Sequence, residues 1–252
     1  MPEYDEFAEA YEHWSVTASP YGVVETHTFF EVLGSVRGLD VLDLACGAGR
    51  TSRMLMERGA ASVLGVDVSP EMVRRATERN AVQPGTAPPG SHRHWPTLRF
   101  TLVDATDGDF QLEPQVDVVT AMYLFHYASS VDDLEKMARL ITRNLKPGGR
   151  FVTYTLSPDY DFGRSDPRLL QGCGFEYTPV GNQHCQLVIG GDRVNCWQWS
   201  RAQHEDALGG AGLVDVRWHP LDVPADASEV RDVLGFYLAD PSCILLSGAK
   251  PR

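Results

Sequence analysis

The chain has 252 residues, of which 43% are hydrophobic and 22% charged, and its formal net charge is −12 at pH 7. This is the make-up of an ordinary globular protein, long enough for one large domain with modest insertions. The acidic balance argues against a nucleic-acid partner, whose phosphates need a basic surface, and no apolar run approaches the ~20 residues of a membrane span.

In chain order, Leu39–Ala45 reads as a buried strand, Thr51–Arg58 as a helix ended by Gly59, and Ser62–Val66 as a second strand closed by Asp67. Ser69 and Pro70 form an N-cap and first-turn pair for a helix over Glu71–Asn80. Val82–Pro96, with four prolines and two glycines, reads as a loop. Its His92, His94 and Trp95 have no neighbouring Cys or carboxylate and do not make a metal site. Leu98–Val103 and Val116–Ala121 are the third and fourth strands. Val131–Leu145 is a helix with apolar residues at 131, 134, 137, 138, 141 and 145. Pro147-Gly148-Gly149 turns the chain into a fifth strand, Arg150–Leu156. Strands alternating with helices predict an α/β fold, a doubly wound and mostly parallel sheet. After residue 156 the rhythm changes: Phe175–Val180, Cys185–Ile189 and Val194–Trp199 read as three short strands of an antiparallel insertion, roughly 157–200. A helix over 201–211, a strand Val214–His219, helical residues 228–238 and a strand Cys243–Gly248 complete the chain.

Five cysteines (Cys46, Cys173, Cys185, Cys196 and Cys243), an odd number with no CxxC pair, predict reduced thiols rather than disulfides or zinc. With an acidic N-terminus that lacks a signal-peptide layout, the expectation is a cytoplasmic protein.

In an open α/β sheet, ligands bind beyond the carboxyl ends of the strands, near the switch in strand order. The first strand delivers Asp43-Leu44-Ala45-Cys46-Gly47-Ala48-Gly49 to that edge, and Gly47 and Gly49 allow a tight turn against a ligand. A dinucleotide loop, G-x-G-x-x-G, wants a third glycine at position 52, which is Ser. Asp43 would repel a pyrophosphate but suits a cationic ligand; S-adenosylmethionine carries a sulfonium and an ammonium group. Asp67, 18 residues after Gly49, can accept ribose hydroxyls, and Asp104, followed by Ala105 at the end of the third strand, can accept an adenine amino group. Three successive strands ending in carboxylates is more than a plain core needs, because such groups cost desolvation unless they meet a donor or a cation.

These segments together resemble the class I S-adenosylmethionine-dependent methyltransferases: VLDLACGAGR (41–50), VLGVDVSPEMV (63–73), LVDATD (102–107), VDVVTAMYLFHY (116–127) and LKPGGRFVTY (145–154). The resemblance implies a single Rossmann-like domain over 1–252 with seven strands, the last antiparallel, N-terminal lid helices over 1–35, and an insertion over 157–200 covering the acceptor. It implies that Ala45 and Gly47 meet the methionine part of the cofactor through backbone, that Val68 and Met72 wall the adenine, and that Ala121 and Met122 lie beside the transferring methyl. Tyr11, in YDEFAEAYEHW (4–14), is placed to reach the cofactor carboxylate; Tyr4, Phe7 and Trp14 share its helical face and serve either that end or the docking of the helix. No metal is implied.

A general base helps when the acceptor is a hydroxyl or a protonated amine. His126 follows the fourth strand and is the best placed candidate, with Tyr127 beside it; Tyr160 and His184 in the insertion are further candidates. Trp197 and Trp199 are either pocket wall or insertion core. His219, in a segment similar to toxoflavin-biosynthesis-type methyltransferases, reads as a surface or packing residue. The expected function is methyl transfer to N, O or C of a small, ring-bearing natural product, by a monomer or homodimer. The alternative on the same fold uses bound cofactor for a cyclisation or rearrangement without methyl loss. A non-catalytic partner subunit and a dehydrogenase are more distant readings.

Overall fold

The computed structural model describes residues 20–81, 96–163, 168–169, 173–181, 183–189 and 191–252. Tyr11 and the other lid aromatics, and the loop with His92, His94 and Trp95, lie outside them.

The described residues begin with helix α1 (Pro20–Leu33), then β1 (Asp40–Leu44), α2 (Arg50–Glu57), β2 (Ser62–Asp67), α3 (Pro70–Ala81), β3 (Leu98–Leu102) and β4 (Val116–Met122). A single 3-10 turn (Phe125–Tyr127) leads to α4 (Val131–Asn144) and β5 (Leu145–Leu156). Strands β6 (Phe175–Gly181), β7 (His184–Ile189) and β8 (Asp192–Trp197) follow, then α5 (Arg201–Gly210), β9 (Val214–His219), α6 (Ser228–Ala239) and β10 (Cys243–Ala249). The main sheet has seven strands in the order β3-β2-β1-β4-β5-β10-β9. Strands β1 to β5 pair in parallel, and β10 runs antiparallel to both β5 and β9. This is the Rossmann-like α/β arrangement expected, with its last strand reversed. The order switches between β1 and β4, where such sheets bind ligands.

Both faces of the sheet are covered, as parallel pairing demands. Val41, Val118, Val152 and Tyr154 pack on one face with α1 and α6; Leu42, Val119 and Phe151 pack on the other with α4 and α5. Capping fixes the helix starts. Ser130 Oγ accepts from Asp133 N ahead of α4, and Ser200 and Gln203 form a reciprocal capping box ahead of α5.

Two boundaries differ by more than a residue from the sequence expectation: β8 runs Asp192–Trp197 rather than Val194–Trp199, and β5 begins early. β5 starts at Leu145, not Arg150, because Leu145 already pairs with Val116 before the register shifts. Pro147-Gly148-Gly149 is thus an irregularity within the strand. Gly149 is required there, since a Cβ would lie 2.8 Å from the Lys146 carbonyl oxygen and 3.0 Å from that of Asp117.

The segment between β5 and α5 forms a separate antiparallel sheet, β6-β7-β8. Its alternation gives two unlike faces. Cys185, Leu187, Val194 and Cys196 are buried on one, while His184, Gln186, Asn195 and Trp197 are half-buried on the other. Among the described residues no helix is long and apolar enough to cross a membrane.

Candidate active site

The loop after β1 turns through left-handed backbone at Ala45 (φ 51°), Gly47 (φ 52°) and Gly49 (φ 77°). At Gly49 a Cβ would meet Phe100 Cζ at 2.6 Å, so a side chain there would have to displace that ring. Asp67 locks the loop against β2, its Oδ2 accepting from Gly47 N (2.8 Å) and its Oδ1 from Ser69 N (2.9 Å).

Asp43 sits beneath this loop rather than at its rim. It is 1% exposed and accepts from Ser52 Oγ (2.5 Å) and Thr120 Oγ1 (2.7 Å). Burial pushes its carboxyl up to about 6 against the pull of those two hydrogen bonds, with the charge of Asp67 adding to the rise. Ser52, the residue that replaces a third glycine, therefore ties α2 to β1 and β4.

Beyond the ends of β1 to β4 lies a cavity of about 410 Å³, walled by Ala45, Asp67, Val68, Asp104 and Ala105, and also by Trp197 from the second sheet. Asp104 holds its own turn, accepting from Thr106 N (2.8 Å) and Thr106 Oγ1 (2.7 Å). Asp67, Asp104 and Asp133 are the ionisable carboxylates on the wall, and the described lining contains no Lys or Arg. Met72 is buried at the start of α3, and neither it nor Ala121 nor Met122 lines this cavity. Ala121 is closed off in the sheet, its carbonyl oxygen accepting from Thr153 Oγ1 (2.5 Å). Met122 packs instead on the core cluster beside Tyr123.

Next to this open cavity is a closed, tyrosine-rich chamber. Tyr123, the residue after β4, has φ 65°, and its hydroxyl donates to Glu25 Oε1 (2.6 Å). It also shares a hydrogen bond with the Tyr21 hydroxyl. Glu25 in turn pairs with Arg50 Nη1 (3.2 Å), and Arg50 Nη2 donates to Thr26 Oγ1 (3.0 Å). The start of α2 is so tied to α1. Tyr21 packs edge-on against Phe175 (5.1 Å between centroids) and Tyr237 (5.3 Å), and Tyr123 against Tyr154 (5.3 Å). Tyr177 Oη lies 3.4 Å from Cys243 Sγ. Burial raises all five of these tyrosine hydroxyls well above their usual range, so they remain neutral phenols.

The four residues singled out as candidate bases fall in different places. Tyr127 lines the open cavity. His184 stands behind it, stacked on Trp197 (5.0 Å, 11° between planes), with Nε2 on Asn195 Oδ1 at 2.9 Å. Tyr160 is buried on the chamber side against Phe162 (4.8 Å). His126 is 2% exposed, with its ring 4.2 Å from Tyr127. Burial, with a smaller contribution from His204, pushes the imidazole down to about 3, so it is neutral and a poor proton acceptor. Tyr123, Tyr21, Glu25 and Arg50 were not distinguished by sequence. Arg50 ends the glycine motif and Tyr123 lies in AMYLFHY, but Glu25 sits in a helix with no motif around it. Among the described residues no group of three His, Cys, Asp or Glu could hold a metal ion.

Residues 41–149 match the family model described as a methyltransferase domain. A protein of Haemophilus influenzae is 31% identical over 134 residues, covering 52% of this chain and 48% of its own length. The chloroplastic tocopherol O-methyltransferase of Arabidopsis thaliana is 30% identical over 115 residues, 46% of this chain and 29% of its own length. The chain thus spans about half or less of the curated relatives it matches. A crystal structure of an S-adenosylmethionine-dependent methyltransferase from Mesorhizobium loti superposes with a TM-score of 0.61 at 24% identity, covering 92% of this chain and all of that one (100%). Residues 41–149 thus match a methyltransferase domain, and the strand order around them is that of a Rossmann-like sheet whose last strand is reversed.

Proposed function

We propose that the protein is an S-adenosylmethionine-dependent methyltransferase acting on a small, ring-bearing molecule, in natural-product metabolism in the cytoplasm, as a monomer or homodimer. The observation that carries the reading is the cavity at the strand-order switch, walled by three carboxylates without a described cation beside a left-handed glycine loop. Such a wall suits a nucleoside with a cationic tail and repels the phosphates of a dinucleotide. In this reading Asp67 accepts the ribose hydroxyls, Asp104 and Ala105 meet the adenine edge beside Val68, and the backbone of Ala45 and Gly47 meets the amino-acid end. When bound, the cofactor supplies an electrophilic methyl with a good leaving group, so orientation and exclusion of water account for much of the acceleration.

The acceptor then lies on the chamber side, next to Met122 and Tyr123. Its aromatic walls favour a ring, and its neutral phenols orient polar substituents without adding charge. The chamber is closed by α1 and by the β6 edge of the second sheet, so both act as covers that must part for an acceptor. Isothermal calorimetry tests the first step: S-adenosylhomocysteine and S-adenosylmethionine should bind, and NAD should not. No binding of either sulfur cofactor would end this reading. Mass spectrometry of products then separates methyl gain from a rearrangement of unchanged mass.

A further inference from the structure

We infer that the second sheet builds part of the cofactor pocket itself: Trp197, held by His184, walls the nucleoside end of the cofactor. The inference rests on the cofactor reading above and assigns to β8 a task different from covering the acceptor.

The two faces of the insertion look into different places. Its buried face, with Phe175, Tyr177 and Cys185, packs with Tyr21 and Tyr154 in the closed chamber. Its other face presents Asn195 and Trp197 to the open cavity, whose wall also includes Asp67, Val68, Asp104 and Ala105. None of Tyr21, Tyr123, Tyr154, Tyr160 and Tyr177 lines that cavity, nor does Met122. Trp197 therefore shares a space with the groups suited to ribose and base, as well as with Ala45 and Tyr127, and not with the chamber tyrosines.

The wall is pre-set. His184 and Trp197 are directly opposite in the β7–β8 register, and their rings stack at 5.0 Å with 11° between planes. His184 Nε2 and Gln186 Nε2 both reach Asn195 Oδ1, at 2.9 and 3.3 Å. An indole fixed in this way offers a flat apolar surface to a purine at little entropic cost. Packing alone does not account for the arrangement, because Trp197 stays half-buried while its neighbour Trp199, whose Nε1 donates to Ala128 O (3.2 Å), is the one sealed into the core.

Calorimetry with two probes tests this. S-adenosylhomocysteine carries both ends of the cofactor, and 5′-methylthioadenosine carries only the nucleoside end. Trp197→Ala should weaken both by the same factor, about fivefold, the low end for base–aromatic stacking. Trp197→Phe should bind within about twofold of the native chain, since a ring remains to stack. His184→Ala, which loosens the wall without entering it, should cost about twofold. If Trp197→Ala melts lower but binds both probes as the native chain does, Trp197 is core and the inference is wrong. A loss confined to S-adenosylhomocysteine also overturns it, by placing Trp197 at the amino-acid end. A native chain that binds neither probe overturns the cofactor reading and this inference with it. Should Trp197→Ala not fold, the Phe and His184 variants decide: a tenfold loss in Phe, or none in His184→Ala, contradicts a stacked wall.

Discussion

The open cavity and the tyrosine chamber lie on either side of the end of β4, and they are built on opposite principles. The cavity is walled by carboxylates whose oxygens are held by loop backbone, with Asp67 on Gly47 and Ser69 and Asp104 on Thr106. The chamber is filled by its own side chains, with Tyr21, Tyr154 and Tyr237 all at 1% exposure or less. One region is empty enough to receive a ligand as it stands; the other must be displaced to admit one. A sheet with one face toward each, β6-β7-β8, can sense both. Substitutions should therefore separate stability from cofactor affinity according to the side they touch.

The largest effect is expected in the chamber. Tyr21→Ala removes a fully buried ring from between Phe175 and Tyr237 and should cost about 3–5 kcal/mol of stability. Its affinity for S-adenosylhomocysteine should stay within about twofold of the native value, because no chamber tyrosine lines the cavity. Urea unfolding and calorimetry on the same samples check this. An equal loss in both measurements would merge the two regions into one.

Asp43 lies beneath the boundary, bonded through Ser52 to α2 and through Thr120 to β4. Its carboxyl is raised to about 6 in the folded protein, against ~3.9 unfolded. The folded state thus binds the proton more tightly, and the stability this group gives at low pH is lost as pH rises through about 6. Asp43→Asn should match the native chain near pH 4 and exceed it by on the order of 2–3 kcal/mol near pH 7. His126 and His204, pushed down to about 3 and about 4, act in the opposite direction as acid is added, but equally in both proteins. Denaturant melts from pH 4 to 7.5 read the gap, and a constant difference would show that Asp43 is not buried as an ion. A cationic ligand favours the ionised carboxylate, so native affinity for S-adenosylmethionine should fall as pH drops below about 6, and Asp43→Asn should flatten that fall.

Asp67→Ala acts on the open side. It removes the acceptor assigned to the ribose and frees Gly47 N, and should weaken S-adenosylhomocysteine about thirtyfold, or ~2 kcal/mol. The chamber should melt nearly as before. Native-like affinity would take the ribose away from Asp67.

Much of this architecture was legible in the residues. Period and punctuation located every strand of the main sheet, since Val41–Leu44 and Val116–Ala121 are mainly apolar runs that contribute to the core on both faces. The cavity was legible because Asp67, Asp104 and the glycines belong to one local pattern at the strand ends. The chamber was not: Glu25, Tyr123, Tyr177 and Tyr237 come from α1, the turn after β4, β6 and α6, and no local spacing joins them. Asp43 showed its charge in the sequence but not its direction, because a strand's alternation places a side chain on a face without saying whether a ligand or a hydroxyl waits there. His126 showed its position but not its burial, which decides its proton affinity.

The smallest effect concerns the backbone where the two regions meet. Ala45 and Tyr123 follow adjacent strands, and both are left-handed non-glycine residues, with φ 51° and 65°. Such a conformation costs an L-residue about 1 kcal/mol and persists where surrounding contacts hold it. For Tyr123 the hydroxyl's bond to Glu25 supplies that hold. Ala45, a residue of the cavity wall, has only a methyl and no such bond. Ala45→Gly should therefore relieve strain and raise stability by about 0.5 kcal/mol, part of the gain being offset by the greater freedom of glycine in the unfolded chain. Affinity for S-adenosylhomocysteine should change less than about twofold, because the backbone assigned to that contact is unaltered. A loss of affinity without a loss of stability would mean that the methyl itself touches the ligand, and the open side would then owe part of its shape to a residue strained for that purpose.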